Sequence, residues 1–261
     1  MRKILLLISA GLLPACSPLP VPGKAPLTGS ATEARAILDR SARMTGDPWK
    51  SYRTVQVSYD GDWSLIAKQV QPVLVDAAFR KSSVEIYQPA GSRIRQTHTG
   101  PGGTKEVLRT PTSIAVRYNG VKNTDPDADA AAALVADAYR IFLFGPSYLK
   151  TRAEGLGKIS PVKIGGERCD GIQGSLRPGF GPSPGDSFIA WIGQDSGVMR
   201  RFQFSLEGLE STRGADVEVT FSGHWQAPDG TIWPRFYNER IVRPIPARAH
   251  LWKLVSLKSS R

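Results

Sequence analysis

Few side chains in this chain of 261 residues pair a reactive type with a neighbourhood that would use it. The histidines His98, His224 and His250 are candidate proton carriers, but none stands in HExxH or another metal-ligand spacing, and no CxxC pair occurs. Asp60 and Asp62 could pose as paired carboxylates for acid–base work. Asp-Gly-Asp between two strand-like runs is better explained as a turn. Gly179-Phe180-Gly181-Pro182 is glycine-rich, yet no Lys-Ser/Thr of a phosphate loop follows it, which leaves a hairpin loop. No catalytic residue, metal ligand or cofactor motif is assigned, so catalysis is not expected.

The two cysteines carry the remaining chemistry. Arg2 and Lys3 open the chain, Ile4 to Leu13 is apolar but too short to span a bilayer, and small Ala15 precedes Cys16. The run Leu13-Pro14-Ala15-Cys16 resembles the lipobox of a bacterial lipoprotein leader. The resemblance implies that residues 1–15 are removed and that Cys16 carries a diacylglyceryl anchor. Ser17 stands where an Asp would mark inner-membrane retention, which favours the outer membrane, facing the periplasm. With Cys16 acylated, Cys169 has no partner and the fold must stand without a disulfide. In Glu167-Arg168-Cys169-Asp170-Gly171 it suits the role of a small hydrophobe.

Hydrophobic residues make up 41% of the chain, enough for a substantial core in a single domain. Past the leader, no segment approaches the roughly 20 apolar residues that a spanning helix needs. Net charge is +11, falling to +9 once Arg2 and Lys3 are lost. The basic residues are scattered, as in Arg93 and Arg95, Arg200 and Arg201, or Arg235 and Arg240, which describes a solvated surface. In an envelope compartment, anionic headgroups suit such a surface better than nucleic acid does.

These residues need elements to hold them. Residues 16–29 hold Pro18, Pro20, Pro22 and Pro26 and read as an extended tether. Ser30-x-x-Glu33 then forms a capping box, and Ala34, Ile37, Leu38, Ser41 and Ala42 share one helical face up to Gly46. From Trp49 the period becomes two: Val55, Val57 and Tyr59 share a face. Strand-like runs follow at Leu65–Val75, Ala78–Tyr87, Arg93–Thr99, Thr104–Arg109 and Ser113–Tyr118, broken by Gly/Pro turns.

Asp125-Pro126 starts a second helix, alanine-rich over Ala128–Ala138, whose tail from Tyr139 to Leu149 is apolar on every side. After Pro161, strands are expected at Arg168–Leu176, Ser187–Gly193, Val198–Leu206, Ala215–Trp225, Thr231–Arg240 and Arg248–Leu257, with a hairpin at Pro228-Asp229-Gly230. The whole reads as mainly β with few helices: about a dozen antiparallel strands in a curved, unclosed barrel with helices over its open side.

This order resembles the open-barrel fold of the lipoprotein carriers LolA and LolB, over residues 30–261. Four segments, Asp47–Tyr52, Phe142–Leu149, Gly185–Ile192 and Asp229–Pro234, further resemble a bacterial family of that type, and none is a catalytic signature. The resemblance implies an interior that takes acyl chains, non-catalytically. Phe142, Phe144 and Tyr148 of the second helix, with Trp191, Phe202 and Phe204 of later strands, are the candidate lining. The expected partners are the membrane, through Cys16, and lipid or lipoprotein acyl chains. The same pattern also fits a filled barrel that docks on a cell-envelope assembly.

Overall fold

Alternation from Thr54 onward gives each strand one face for the interior, and these faces must be covered. The computed structural model, which describes residues 19–244 and 246–261, covers them by curling one antiparallel sheet of 14 strands around a central helix. Cys16, the leader and Ser17 lie outside the described residues.

In chain order, β1 (Leu27–Gly29) precedes α1 (Ala31–Thr45) and the single turn α2 (Pro48–Ser51). Strand β2 (Thr54–Trp63) leads into two short helices, α3 (Leu65–Val70) and α4 (Pro72–Val75). A meander follows: β3 (Ser82–Gln88), β4 (Arg93–Gly100), β5 (Gly103–Arg109), β6 (Ile114–Tyr118) and β7 (Val121–Lys122). The long helix α5 (Pro126–Arg152) then crosses to a second meander. That one comprises β8 (Ala153–Ile164), β9 (Glu167–Leu176), β10 (Asp186–Gly193), β11 (Met199–Leu206) and β12 (Ala215–Ser222). A separate two-stranded ribbon, β13 (Trp225–Gln226) and β14 (Ile232–Trp233), precedes β15 (Phe236–Arg243) and β16 (Ala247–Ser260).

The sheet runs β1-β8-β9-β10-β11-β12-β15-β16-β2-β3-β4-β5-β6-β7. Its edges are β1 and β7, so the barrel stays open, and α5 leads from the edge strand β7 to β8, next to the other edge, and fills the space between the halves. Asp125 caps α5 by accepting from the Asp127 amide, and Pro126 takes the first turn. From Ala131 to Leu149 every α5 side chain is buried, which is why that stretch shows no amphipathic stripe. Gly145, with φ 48° and ψ −129°, bends the helix, and Pro146 opens the continuation, where a missing N–H costs nothing. Helix α1 keeps its capping box and packs its apolar face on α5 and β8.

Four sequence expectations change. Leu65–Val75 is helical, because Ser64 caps α3 through the Ala67 amide, Pro72 starts α4, and the run lacks period-two alternation. Asp60-Gly61-Asp62 is no turn but lies toward the end of β2, paired with β16. A Cβ on Gly61 would sit 1.9 Å from the Trp252 ring, so this glycine serves a close approach between strands. The proline stretch ends as β1, paired with β8, and is held along the outer face of the sheet. There the Ala25 amide donates to Gln173 Oε1 at 2.9 Å. The turn at Pro228-Asp229-Gly230 forms, but it joins β13 to β14, not the last long pair of strands.

Candidate functional site

At one rim of the barrel, α3 and α4 lie between β2 and β3 as a lid. Their inner side chains, Ala67, Leu74 and Val75, meet Leu134, Ala138, Tyr139 and Phe142 of α5 and Phe204, Val217 and Ile241 of the wall. Between them is a cavity of about 70 Å³. It is almost wholly apolar, and in the closed form it matches the volume of about two waters.

The outside of the lid is apolar too. Leu65 is 75% exposed, Ile66 53%, Val70 54% and Val73 44%. The inner face buries Ala67 and Val75, and polar contacts tie the pair down: Ser64 Oγ donates to the Arg248 carbonyl (2.6 Å), Gln71 Nε2 to the Ser211 carbonyl (2.6 Å) and Arg80 Nη1 to the Leu74 carbonyl (2.8 Å).

Among the residues lining this cavity is one buried cation, and other buried polar groups lie nearby. Arg80, in the link from α4 to β3, lies buried against the rings of Trp63 (4.7 Å) and Tyr139 (5.8 Å). Tyr139 Oη and His250 Nδ1 are 3.1 Å apart, and Trp63 stacks on His250 with centroids 3.9 Å apart. Burial holds the His250 imidazole below its usual range. His98, inside β4, is pushed much further down by burial, with Arg80 and Lys105 adding like charge. Glu85 accepts from Ser83 and Tyr87, and burial raises its carboxyl above the usual range against those hydrogen bonds.

No family model matches the chain, and no curated protein does. Among solved structures, a LolA superfamily protein from Nitrosomonas europaea aligns over 87% of this chain and 93% of its own, at 10% identity and a TM-score of 0.51. The fold is LolA-like. A DUF1329 family protein from Desulfovibrio piger is similar at 13% identity and a TM-score of 0.41, covering 87% of this chain and 92% of that one. Mycobacterium tuberculosis lipoprotein LppX gives 16% identity and 0.30, over 66% of this chain and 89% of its own.

In this LolA-like barrel the residues expected to line one cavity are spread over several places. Phe142 and Phe204 do line the cavity beneath the lid. Phe144 lies further along α5, edge-on to Trp49 and Trp233. Tyr148 lines a separate recess of about 190 Å³ with Arg109, Arg140 and Arg152. Phe202 is buried between Phe188 and Phe204. Trp191 does not face α5 at all: on β10 its neighbours Ala190 and Ile192 point inward, so Trp191 points outward, onto Ile159, Cys169 and Ile189. Its Nε1 donates to Gln203 Oε1 at 2.7 Å under the N-terminal strip.

Cys169 is buried in that same outer cluster, and burial raises its thiol above the usual range. One loop was also informative. The letters of a serine-hydrolase elbow are present at Gly181-Pro182-Ser183-Pro184-Gly185, but they form the loop between β9 and β10, not a strand-to-helix turn. Ser183 Oγ is buried and donates to Asp186 Oδ1 at 3.0 Å, a loop-closing bond. Trp63, Arg80 and the lid itself escaped the sequence reading; Ser64 before an apolar run and Pro72 inside it were the available signals.

Proposed function

We propose that this is a lipid-anchored protein of the bacterial envelope that takes an acyl-bearing or other hydrophobic molecule beneath α3 and α4, without catalysis. The observation that carries this reading is the apolar cavity roofed by a lid that is apolar on both faces. At about 70 Å³ the closed cavity holds only a few methylenes, while small-molecule sites run to about 300–1,000 Å³. Uptake therefore requires α3 and α4 to swing out, which extends the cavity and turns the lid's inner face toward the chain. Each methylene then buried contributes about 0.8 kcal/mol without directional demands. The LolA-type barrel supports the reading.

Lipidation at Cys16 gives the anchor. Because the strip from Leu19 onward already lies on the sheet, about three residues, roughly 10 Å of chain, separate the anchor from the body. The outer face of β10 and β11 then rides close to the membrane, nearer than a free tether of residues 16–29 would place it. In a detergent phase-partition assay, Cys16→Ser moves the protein to the aqueous phase; a variant that stays in the detergent phase refutes the anchor.

Native mass spectrometry and lipid extraction of the purified protein test the cargo. A co-purified acyl species, displaced by a fluorescent fatty-acid probe, is expected. Protein free of lipid and blind to the probe shifts the reading to the second one, a filled barrel docking on an envelope assembly. The exposed row Leu65, Ile66, Val70 and Val73 favours that alternative.

A further inference from the structure

Arg80 is 2% exposed, and its guanidinium makes one hydrogen bond, from Nη1 to the Leu74 carbonyl of α4 at 2.8 Å. Nε and Nη2 have no hydrogen-bond partner, and no ion pair within 4.0 Å reaches Arg80 among the described residues. A buried cation without its counter-charge is costly, and a fold that needed only packing here would be served better by Met or Leu. The two free donors are neighbours: Nε–H and one Nη2–H lie along the same edge of the planar group. That edge grips a carboxylate through two parallel hydrogen bonds.

The same side chain lines the apolar cavity together with Phe142, Phe204 and Leu206. We propose that the cavity selects a single-chain amphiphile with a carboxylate head, the head accepting from Nε and Nη2 of Arg80 and the chain running toward Phe142 and Phe204. This rests on the cavity-binding reading above and names the ligand class for it.

The other charges around the site leave this place open. Glu239 shares the cavity wall, but its Oε2 lies 3.6 Å from His250 Nδ1. Glu85 is engaged by Ser83 and Tyr87. Lys105 is paired with Asp76 at 2.7 Å and is not free to compete for the head. Trp63 and Tyr139 flank the guanidinium and keep water from the pair, which strengthens it.

The test is a fluorescence titration at pH 8 with cis-parinaric acid and with its methyl ester, two probes that differ only in the head. Wild-type protein is expected to bind the acid at least about ten-fold more tightly than the ester, the worth of one desolvated charge-assisted pair. In Arg80→Met the ratio falls to about one while ester affinity stays, and Arg80→Lys restores part of the preference. Equal binding of the two probes by the wild type overturns the head assignment and leaves the cavity reading standing. A preference that survives in Arg80→Met overturns it as well. If neither probe binds, the cavity reading falls and this proposal falls with it. The wild-type ratio decides the matter even if the variants do not fold.

Discussion

The two halves of the barrel face the same helix with opposite chemistry. On the β8–β12 side the concave wall is aromatic: Phe188 stacks on Phe202 at 5.5 Å, Phe202 meets Phe204 at 5.5 Å, and Phe180 meets Phe204 at 4.9 Å. Phe142 of α5 closes the group. On the β2–β6 side, below Tyr59 and Tyr87, the wall carries Glu85, Gln96, His98 and Lys105, all buried, with Arg80 at the rim. The first half is packed as a core needs to be. The second buries a cluster of polar and ionisable groups on its concave face, and the cavity beneath the lid lies between Arg80 at its rim and Phe204 and Val217 of the first half. A fold pays for such groups only where they have other work.

The contrast can be broken by mutation. Phe202→Ala should cost about 3–5 kcal/mol in urea unfolding, since no neighbour in the aromatic half can collapse into the space. A loss below about 1 kcal/mol would show that this half is loosely packed.

The polar half should instead declare itself through pH. His98 has its folded pKa depressed below the ordinary 6.5, so its stabilising share is present above that value and is lost as pH falls below it. His250 acts in the same direction. Each contributes at most about 1.4 kcal/mol per pH unit. Glu85 works the other way: its folded pKa is raised above 4.5, so its share is present below that value and lost as pH rises through the raised one. His98→Leu should flatten the stability profile between about pH 6.5 and 5, and Glu85→Gln should remove the loss toward neutrality. Unfolding curves across that range with unchanged slopes would show that the polar half carries no linkage.

Arg80→Met should change stability by less than about 1 kcal/mol, or raise it, because an unpaired buried cation is exchanged for an apolar chain of similar length. A loss above about 3 kcal/mol would make Arg80 a structural residue and remove the contrast. The smallest effect belongs to the lid surface: Leu65→Ser and Val73→Ser should stay within about 0.5 kcal/mol in thermal melts.

The aromatic half was legible in the sequence because alternation is a local signal. Phe202, Phe204 and Leu206 alternate with Gln203 and Ser205, and the register in the sheet follows. The capping box of α1 and the start of α5 are equally local. The lid was not legible, because Leu65–Val75 is short and mostly apolar, and Lys68, Gln69 and Gln71 are too few to mark a helical face; only Ser64 and Pro72 betray short helices. Trp191 was assigned to the wrong face because β10 is buried on both sides, so its alternation no longer separates inside from outside. Arg80 stands beside Lys81 in an ordinary basic pair, and its meaning comes from Trp63 and Tyr139, which are distant in sequence and meet it only in the folded chain.

The central claim is that the space beneath α3 and α4 receives an acyl chain. It is tested most directly by titrating wild-type protein and Ala138→Phe, which fills that space from α5, with cis-parinaric acid. The account predicts saturable binding of one probe per wild-type chain and its loss in Ala138→Phe, with both proteins giving the same circular-dichroism spectrum. Undiminished binding by Ala138→Phe, or no binding by the wild type, would contradict it.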